Sequence, residues 1–159
     1  MRAVDPIASG YVTNPMDGVR VAYEVFGTEN APRTMVFLPT WALVHSRNWK
    51  MQIPYFASRD FRVVSFDGRG NGKSDRPANG YTIEHYVGDT LAIFNALKIE
   101  HAVVVCTSAG GYWGTYFTAD HPERVSHLIL VTPSTRLDDT PPDRTNFLAE
   151  PPNLSLIHI

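Results

Sequence analysis

The sequence predicts an α/β domain, built on a mainly parallel sheet with helices on both faces. Three observations carry that expectation. Short runs rich in β-branched residues recur along the chain, as in Thr34–Leu38, Phe61–Phe66, Ala102–Cys106 and Leu128–Val131. Runs of this length and composition suit strands buried on both faces of a parallel sheet. Segments with helical periodicity lie between them, and strands that alternate with helices give a parallel sheet. At 159 residues, the chain is long enough to bury one core.

The elements follow in order. Val19 to Phe26 alternates, with Val19, Val21, Tyr23 and Val25 on one side, which is strand periodicity. The strands near Tyr11 to Phe26 are close enough in sequence to form an antiparallel edge hairpin. Gly27 to Arg33 is polar and holds Gly and Pro, so it reads as a turn. Ser46 to Ala57 reads as a helix that Pro54 delays or kinks. Ile83 to Leu97 is the clearest helix, because Ile83, Val87, Leu91, Phe94 and Leu97 make one apolar stripe. Gly110 to Asp120 is a third helix, with Tyr112, Trp113, Tyr116 and Phe117 on one side and Pro122 closing it. Thr140 to Asn153 holds four prolines without periodicity and reads as loop. The expected organisation is a core domain over 11–135, then a proline-rich loop or lid start over 136–159 with a tail that is not native.

Composition narrows the function. Hydrophobic residues make up 43% and charged ones 19%, as in globular proteins. A net charge of -2 gives no electrostatic reason to expect nucleic acid or an anionic membrane. The first ten residues carry no apolar stretch of signal-peptide length, and no apolar run is long enough to span a bilayer. Cys106 is the lone cysteine and fits a reducing compartment. These features lead to the expectation of a soluble, cytoplasmic protein, with nothing to fix its oligomeric state.

The chemistry is concentrated after Ala102–Cys106, where the strand runs into Thr107-Ser108-Ala109-Gly110-Gly111 and then a helix. This stretch resembles the nucleophile elbow, G-x-S-x-G, of the α/β-hydrolase fold family. The turn from strand to helix is crowded, so the residues two before and two after the serine must be small. Here they are Cys106 and Gly110, and the cysteine departs from the usual glycine. The resemblance covers about Val19 to Pro133. It implies Ser108 as nucleophile at the carboxyl edge of the sheet, and the Ala109 N–H as an oxyanion donor at a helix N-terminus. In this family a loop after the third strand, often H-G-x-x, gives the second donor. Here it reads Leu38-Pro39-Thr40-Trp41, which places the donor at the Trp41 N–H. Trp41 reads equally as a core or pocket-wall aromatic, and both roles are compatible because the donor is backbone. Thr40 and His45 are the expected pocket residues. Cys106 is expected to be a buried packing residue, not a nucleophile.

Asp67-Gly68-Arg69-Gly70-Asn71-Gly72-Lys73-Ser74 resembles the family's D-x-R-G-x-G-x-S loop after the fourth strand. Gly72-Lys73-Ser74 also ends like a phosphate-binding loop. The full P-loop needs glycine at position 67, where Asp67 would repel phosphate, so nucleotide binding is not expected. Arg69 and Asp75 read as structural hydrogen-bonding residues.

The serine's partners are harder to place. The family's triad order is Ser, then Asp or Glu, then His. His121 ends the helix that Ser108 starts, about 16 Å away at ~1.5 Å per residue. His127 begins a parallel strand at the sheet's opposite edge. His158 lies in Leu154–Ile159, a run with no predicted element. His85 and His101 precede the serine and read as solvated. Asp138 and Asp139 follow the sixth strand, at an improbable position for the acid. The resemblance thus implies a serine hydrolase of ester or related acyl bonds, truncated after about the sixth strand and inactive as given. No cofactor or metal is implied, and the partner is a small acyl substrate. The alternative is a non-catalytic ligand-binding or sensor module on the same scaffold.

Overall fold

The computed structural model describes residues 4–40, 44–133 and, for the backbone, 156–158. Its sheet has the strand order β1-β2-β4-β3-β5-β6-β7. The strands are β1 (Ala8–Thr13), β2 (Arg20–Gly27), β3 (Arg33–Phe37), β4 (Phe61–Phe66), β5 (Ala102–Ser108), β6 (Val125–Pro133) and β7 (Leu156–His158). β1 and β2 form the expected antiparallel edge hairpin, and β2 is also antiparallel to β4. The pairs β4–β3, β3–β5, β5–β6 and β6–β7 are parallel.

Both faces are covered, which explains the continuous apolar runs. On one face, Val21, Val36, Val64, Val104 and Cys106 pack under α2 (Ile83–Ala96) and α3 (Gly110–Asp120). On the other, Phe26, Phe37, Val63 and Val105 pack with Trp49 and Ile53. Ile53 belongs to α1 (Gln52–Ala57), and Trp49 to the 3-10 turn Ser46–Trp49 before it. The expected single helix over Ser46–Ala57 is therefore two short pieces. Pro54 is the third residue of α1, within the first turn, where backbone N–H groups have no intrahelical acceptor. The proline thus sits where it costs no helix bond.

β7 is a departure from the sequence reading. Leu156–His158 lies parallel on β6, pairing with Leu128 to Leu130. The edge of β6 that the sequence leaves open is covered over those three residues. The reason is backbone chemistry: an unpaired strand edge accepts any extended segment that reaches it.

A buried ionic network fixes the hairpin to the helices. Arg69, in the loop after β4, is 0% exposed and Asp89 on α2 is 1% exposed. The guanidinium donates to Asp89 through Nε at 2.8 Å and Nη2 at 2.7 Å. Its Nη1 donates to Asp17 at 2.7 Å and to the Gly80 carbonyl. Asn14 completes the set, donating to Asp89 at 2.8 Å. Asn14 and Asp17 lie in the β1–β2 turn, so one cation joins turn, loop and helix. His85, expected to be solvated, is half-buried in this network. Its Nδ1 lies 2.8 Å from the Thr82 hydroxyl and its Nε2 3.6 Å from Asp17. Burial opposes the charge on Arg69, but the carboxylates of Asp89 and Asp17 outweigh it and raise its pKa. The Arg69 hydrogen bond holds the Asp17 carboxyl below its ordinary value, against a smaller opposing effect of burial.

Asp89→Ala leaves this cation buried beside one partner fewer. It should lower unfolding stability by about 3–5 kcal/mol in urea titrations. Asp17 gives a pH signature. Its folded pKa is depressed, so its contribution is complete above the ordinary carboxylate value of about 3.9 and is lost as pH falls through the folded pKa. The stability advantage of the native chain over Asp17→Asn should therefore be present at pH 6 and shrink below about pH 4. An advantage that grows on acidification would refute it.

Candidate active site

β5 runs two residues past the apolar stretch seen in the sequence and ends on Ser108. Ser108 has φ 50°, the left-handed region that L-residues avoid. Ala109 follows with helical angles, φ -56° and ψ -27°, and α3 begins at Gly110. The whole turn from strand to helix is thus made at one serine. Pairing with β6 shifts between Thr107 and Ser108, where the chain leaves the ladder. The left-handed backbone at a non-glycine residue is strained and persists only where the surroundings over-determine it.

Those surroundings are tight. A Cβ at Gly110 would lie 2.6 Å from the Pro39 carbonyl oxygen, so only glycine lets helix and loop approach this closely. A Cβ at Gly114 would lie 2.3 Å from Cys106 Sγ. The thiol of Cys106 therefore fills the space above Gly114, one turn into α3. Cys106 is fully buried, and burial pushes its thiol pKa up, away from the thiolate. The cysteine in place of glycine is accommodated by a glycine on the helix.

The loop after β3 lies against this turn. The Leu38 N–H donates to the Val105 carbonyl at 2.9 Å, extending the β3–β5 pairing. The Thr40 hydroxyl donates to the Thr107 carbonyl at 3.1 Å. Trp113 of α3 donates from Nε1 to the Pro39 carbonyl at 3.1 Å. Trp41 lies outside the described residues, as do Asp138 and Asp139. Ser108, Ala109, Pro39 and Thr40 thus come together at the carboxyl edge of β3 and β5. The Ala109 N–H stands at the N-terminus of α3, where the helix dipole favours negative charge.

A family model for the alpha/beta hydrolase fold matches residues 33–153. The chain belongs to the α/β-hydrolase fold family. An esterase/perhydrolase from Acinetobacter calcoaceticus is 36% identical over 124 residues, covering 77% of this chain and 44% of that protein. A non-heme chloroperoxidase from Streptomyces lividans is 33% identical, covering 80% of this chain and 47% of that one. Among solved structures, an N-acyl homoserine lactone degrading enzyme superposes with a TM-score of 0.73 at 33% identity, over 87% of this chain and 52% of its own. The chain spans less than half the length of these curated relatives.

In this α/β-hydrolase chain, the two expected pocket residues do not meet. The Thr40 hydroxyl is buried and engaged with Thr107. His45 instead caps the 3-10 turn, its Nδ1 accepting from the Arg47 N–H at 3.1 Å. It lines a groove of about 500 Å³ with Tyr23, Glu24, Arg47, Asp67 and Lys73, which neither Ser108 nor Thr40 borders. Of the other histidines, His121 follows the far end of α3 and His127 pairs with Val103 near the start of β5. His101 is exposed just before β5. Among the described residues no hydrogen bond joins Ser108 to a histidine. The D-x-R-G-x-G loop is structural: Asp67 accepts from the N–H groups of Ser46 and Lys73. Asp75 pairs with Arg20. Sequence reasoning missed Trp113 as a partner of Pro39, because the two lie 74 residues apart.

The Cys106–Gly114 contact makes a pairwise prediction. Gly114→Ala should destabilise by about 1–3 kcal/mol through overpacking against the thiol. Adding Cys106→Gly should recover most of that loss, giving a coupling above about 0.5 kcal/mol in a double-mutant cycle. Strict additivity would show that the contact is not the cause.

Proposed function

We propose that the whole protein is a serine hydrolase of ester or related acyl bonds, with Ser108 as nucleophile. The observation that carries this is the left-handed Ser108, alone at the junction of β5 and α3. A capping serine needs no such strain, since helix N-caps take extended angles. A serine set on this turn projects from the carboxyl edge of the sheet, where open α/β sheets bind ligands. Two relatives support the same bond class: one is an esterase/perhydrolase and the other an N-acyl homoserine lactone degrading enzyme, and a lactone is a cyclic ester.

The chemistry follows from these groups. Ser108 Oγ attacks the acyl carbonyl, and its proton passes to a histidine base as the tetrahedral oxyanion forms. The Ala109 N–H and, in the family's loop pattern, the Trp41 N–H hold that oxyanion. Collapse expels the alcohol and leaves an acyl-serine, which water hydrolyses. The family order assigns acid and base to positions after Ser108, and none of the described histidines suits that role. We therefore assign them to the half of the family's length that this chain does not span. The absence of a described histidine beside Ser108 is also what favours the rival reading, a non-catalytic binding module on the same scaffold.

Two measurements decide. In the whole protein, a fluorophosphonate probe should label Ser108, and Ser108→Ala should abolish labelling; an unlabelled protein would favour the binding module. The 159-residue chain alone should hydrolyse p-nitrophenyl acetate no faster than its Ser108→Ala variant, apart from an oxyanion-hole residue on the order of 10³ over water. Ser108-dependent turnover well above that would place a base within this chain.

A further inference from the structure

The family's loop after the third strand is commonly His-Gly, and this chain has Pro39-Thr40 in its place. We propose that Trp113, together with the Thr40 hydroxyl, is a positioning residue that fixes this altered loop for oxyanion binding. The assignment rests on the serine-hydrolase reading above.

The geometry is specific. The Trp113 indole is 5% exposed and stacks on Tyr86, with ring centroids 4.3 Å apart and planes at 11°. That stack sets the plane of the indole, and with it the direction of the Nε1–H. The donor reaches the Pro39 carbonyl at 3.1 Å, and the bare Cα of Gly110 lets the same oxygen settle on the first turn of α3. A peptide unit is planar, so fixing the Pro39 carbonyl fixes the Thr40 N–H on its other side. The Thr40 side chain is fixed independently, through its hydroxyl on the Thr107 carbonyl at 3.1 Å. Thr107 immediately precedes the nucleophile. Residue 40 is thus held at its preceding peptide by the elbow helix and at its side chain by the elbow strand. Thr40, which precedes the residue that the family's loop pattern assigns as donor, is tied at both points to the elbow itself.

Neither group touches the reacting atoms, so the effect is on alignment. Oxyanion donors act in the transition state more than in the ground state, and their misplacement lowers kcat with little change in KM. Proline supports the arrangement by removing a donor and fixing φ at position 39.

The test uses the whole protein with a p-nitrophenyl ester, comparing Trp113→Phe, Thr40→Val and Ser108→Ala. Trp113→Phe keeps a ring against Tyr86 while removing the N–H donor and part of the indole's volume; Thr40→Val removes the hydroxyl and keeps the shape of the buried side chain. Each should lower kcat about ten- to a hundredfold, the range of small misplacements, with KM within about twofold. Amide exchange at Thr40 should rise in Trp113→Phe while the β5 amides stay protected. Should one variant fail to fold, the other carries the same kinetic split. Unchanged kcat in folded variants, or a rise in KM alone, would overturn the positioning role while leaving Ser108 as nucleophile. A native rate no higher than that of Ser108→Ala would overturn the serine-hydrolase reading, and this assignment with it.

Discussion

The tight turn at Ser108 constrains most of the structure around it. A strand can pass into a helix across one residue only if that residue takes a left-handed backbone and its neighbours carry almost no bulk. The cost of that conformation is of order 1–3 kcal/mol, so the surroundings must hold it. Here they do so from three sides. Cys106 Sγ fills the space above Gly114, the Pro39 carbonyl presses on Gly110, and the Thr40 hydroxyl holds the Thr107 carbonyl. These contacts join the loop after β3, the end of β5 and the first turns of α3 around the serine.

A second unit stands behind it. The Arg69 cation holds the buried Asp89, which Asn14 also binds, and reaches the partly exposed Asp17, tying the β1–β2 hairpin to α2. α2 carries Tyr86, and Tyr86 stacks on Trp113, so the ionic network bears on the elbow through packed rings. A buried ion pair is weak support for stability as such, because desolvation offsets its attraction. Its value here is geometric: a bidentate guanidinium admits one arrangement of loop, turn and helix.

What was legible in the sequence follows the range of the interactions involved. Strand runs such as Phe61–Phe66 and the helix Gly110–Asp120 coincide with their observed bounds, because their periodicity is local. The turn at Ser108 was legible too, since steric crowding leaves a local signature of small residues. Asp89 was not, as its burial on an otherwise apolar helix face depends on Arg69 from a separate loop. His85 was misjudged as solvated for the same reason. The split of Ser46–Ala57 was half visible through Pro54, but the cap donated to His45 was not. Leu156–His158 offered no signal, because a three-residue edge strand is defined by the strand it joins and not by its own pattern. His45 lines a groove whose other residues come from β1, β2, the 3-10 turn and the loop after β4, a grouping that its position in sequence does not signal.

The division of labour along the chain has a physical consequence for catalysis. The proposed nucleophile and the Ala109 N–H are backbone-governed: they come from the end of β5 and the start of α3, within the described residues. They can be assembled by packing alone, because each depends on where the main chain runs. A general base depends instead on a single side chain brought within about 2.6–3.2 Å of Oγ, and no local packing rule produces that. An oxyanion donor can therefore stand beside a serine that no base activates. An oxyanion donor stabilises the tetrahedral intermediate and the transition state that leads to it, while an un-ionised hydroxyl without a base remains a weak nucleophile. On the serine-hydrolase proposal, the strained Ser108 is the point of attack, and a base within hydrogen-bond reach of its Oγ decides whether attack occurs.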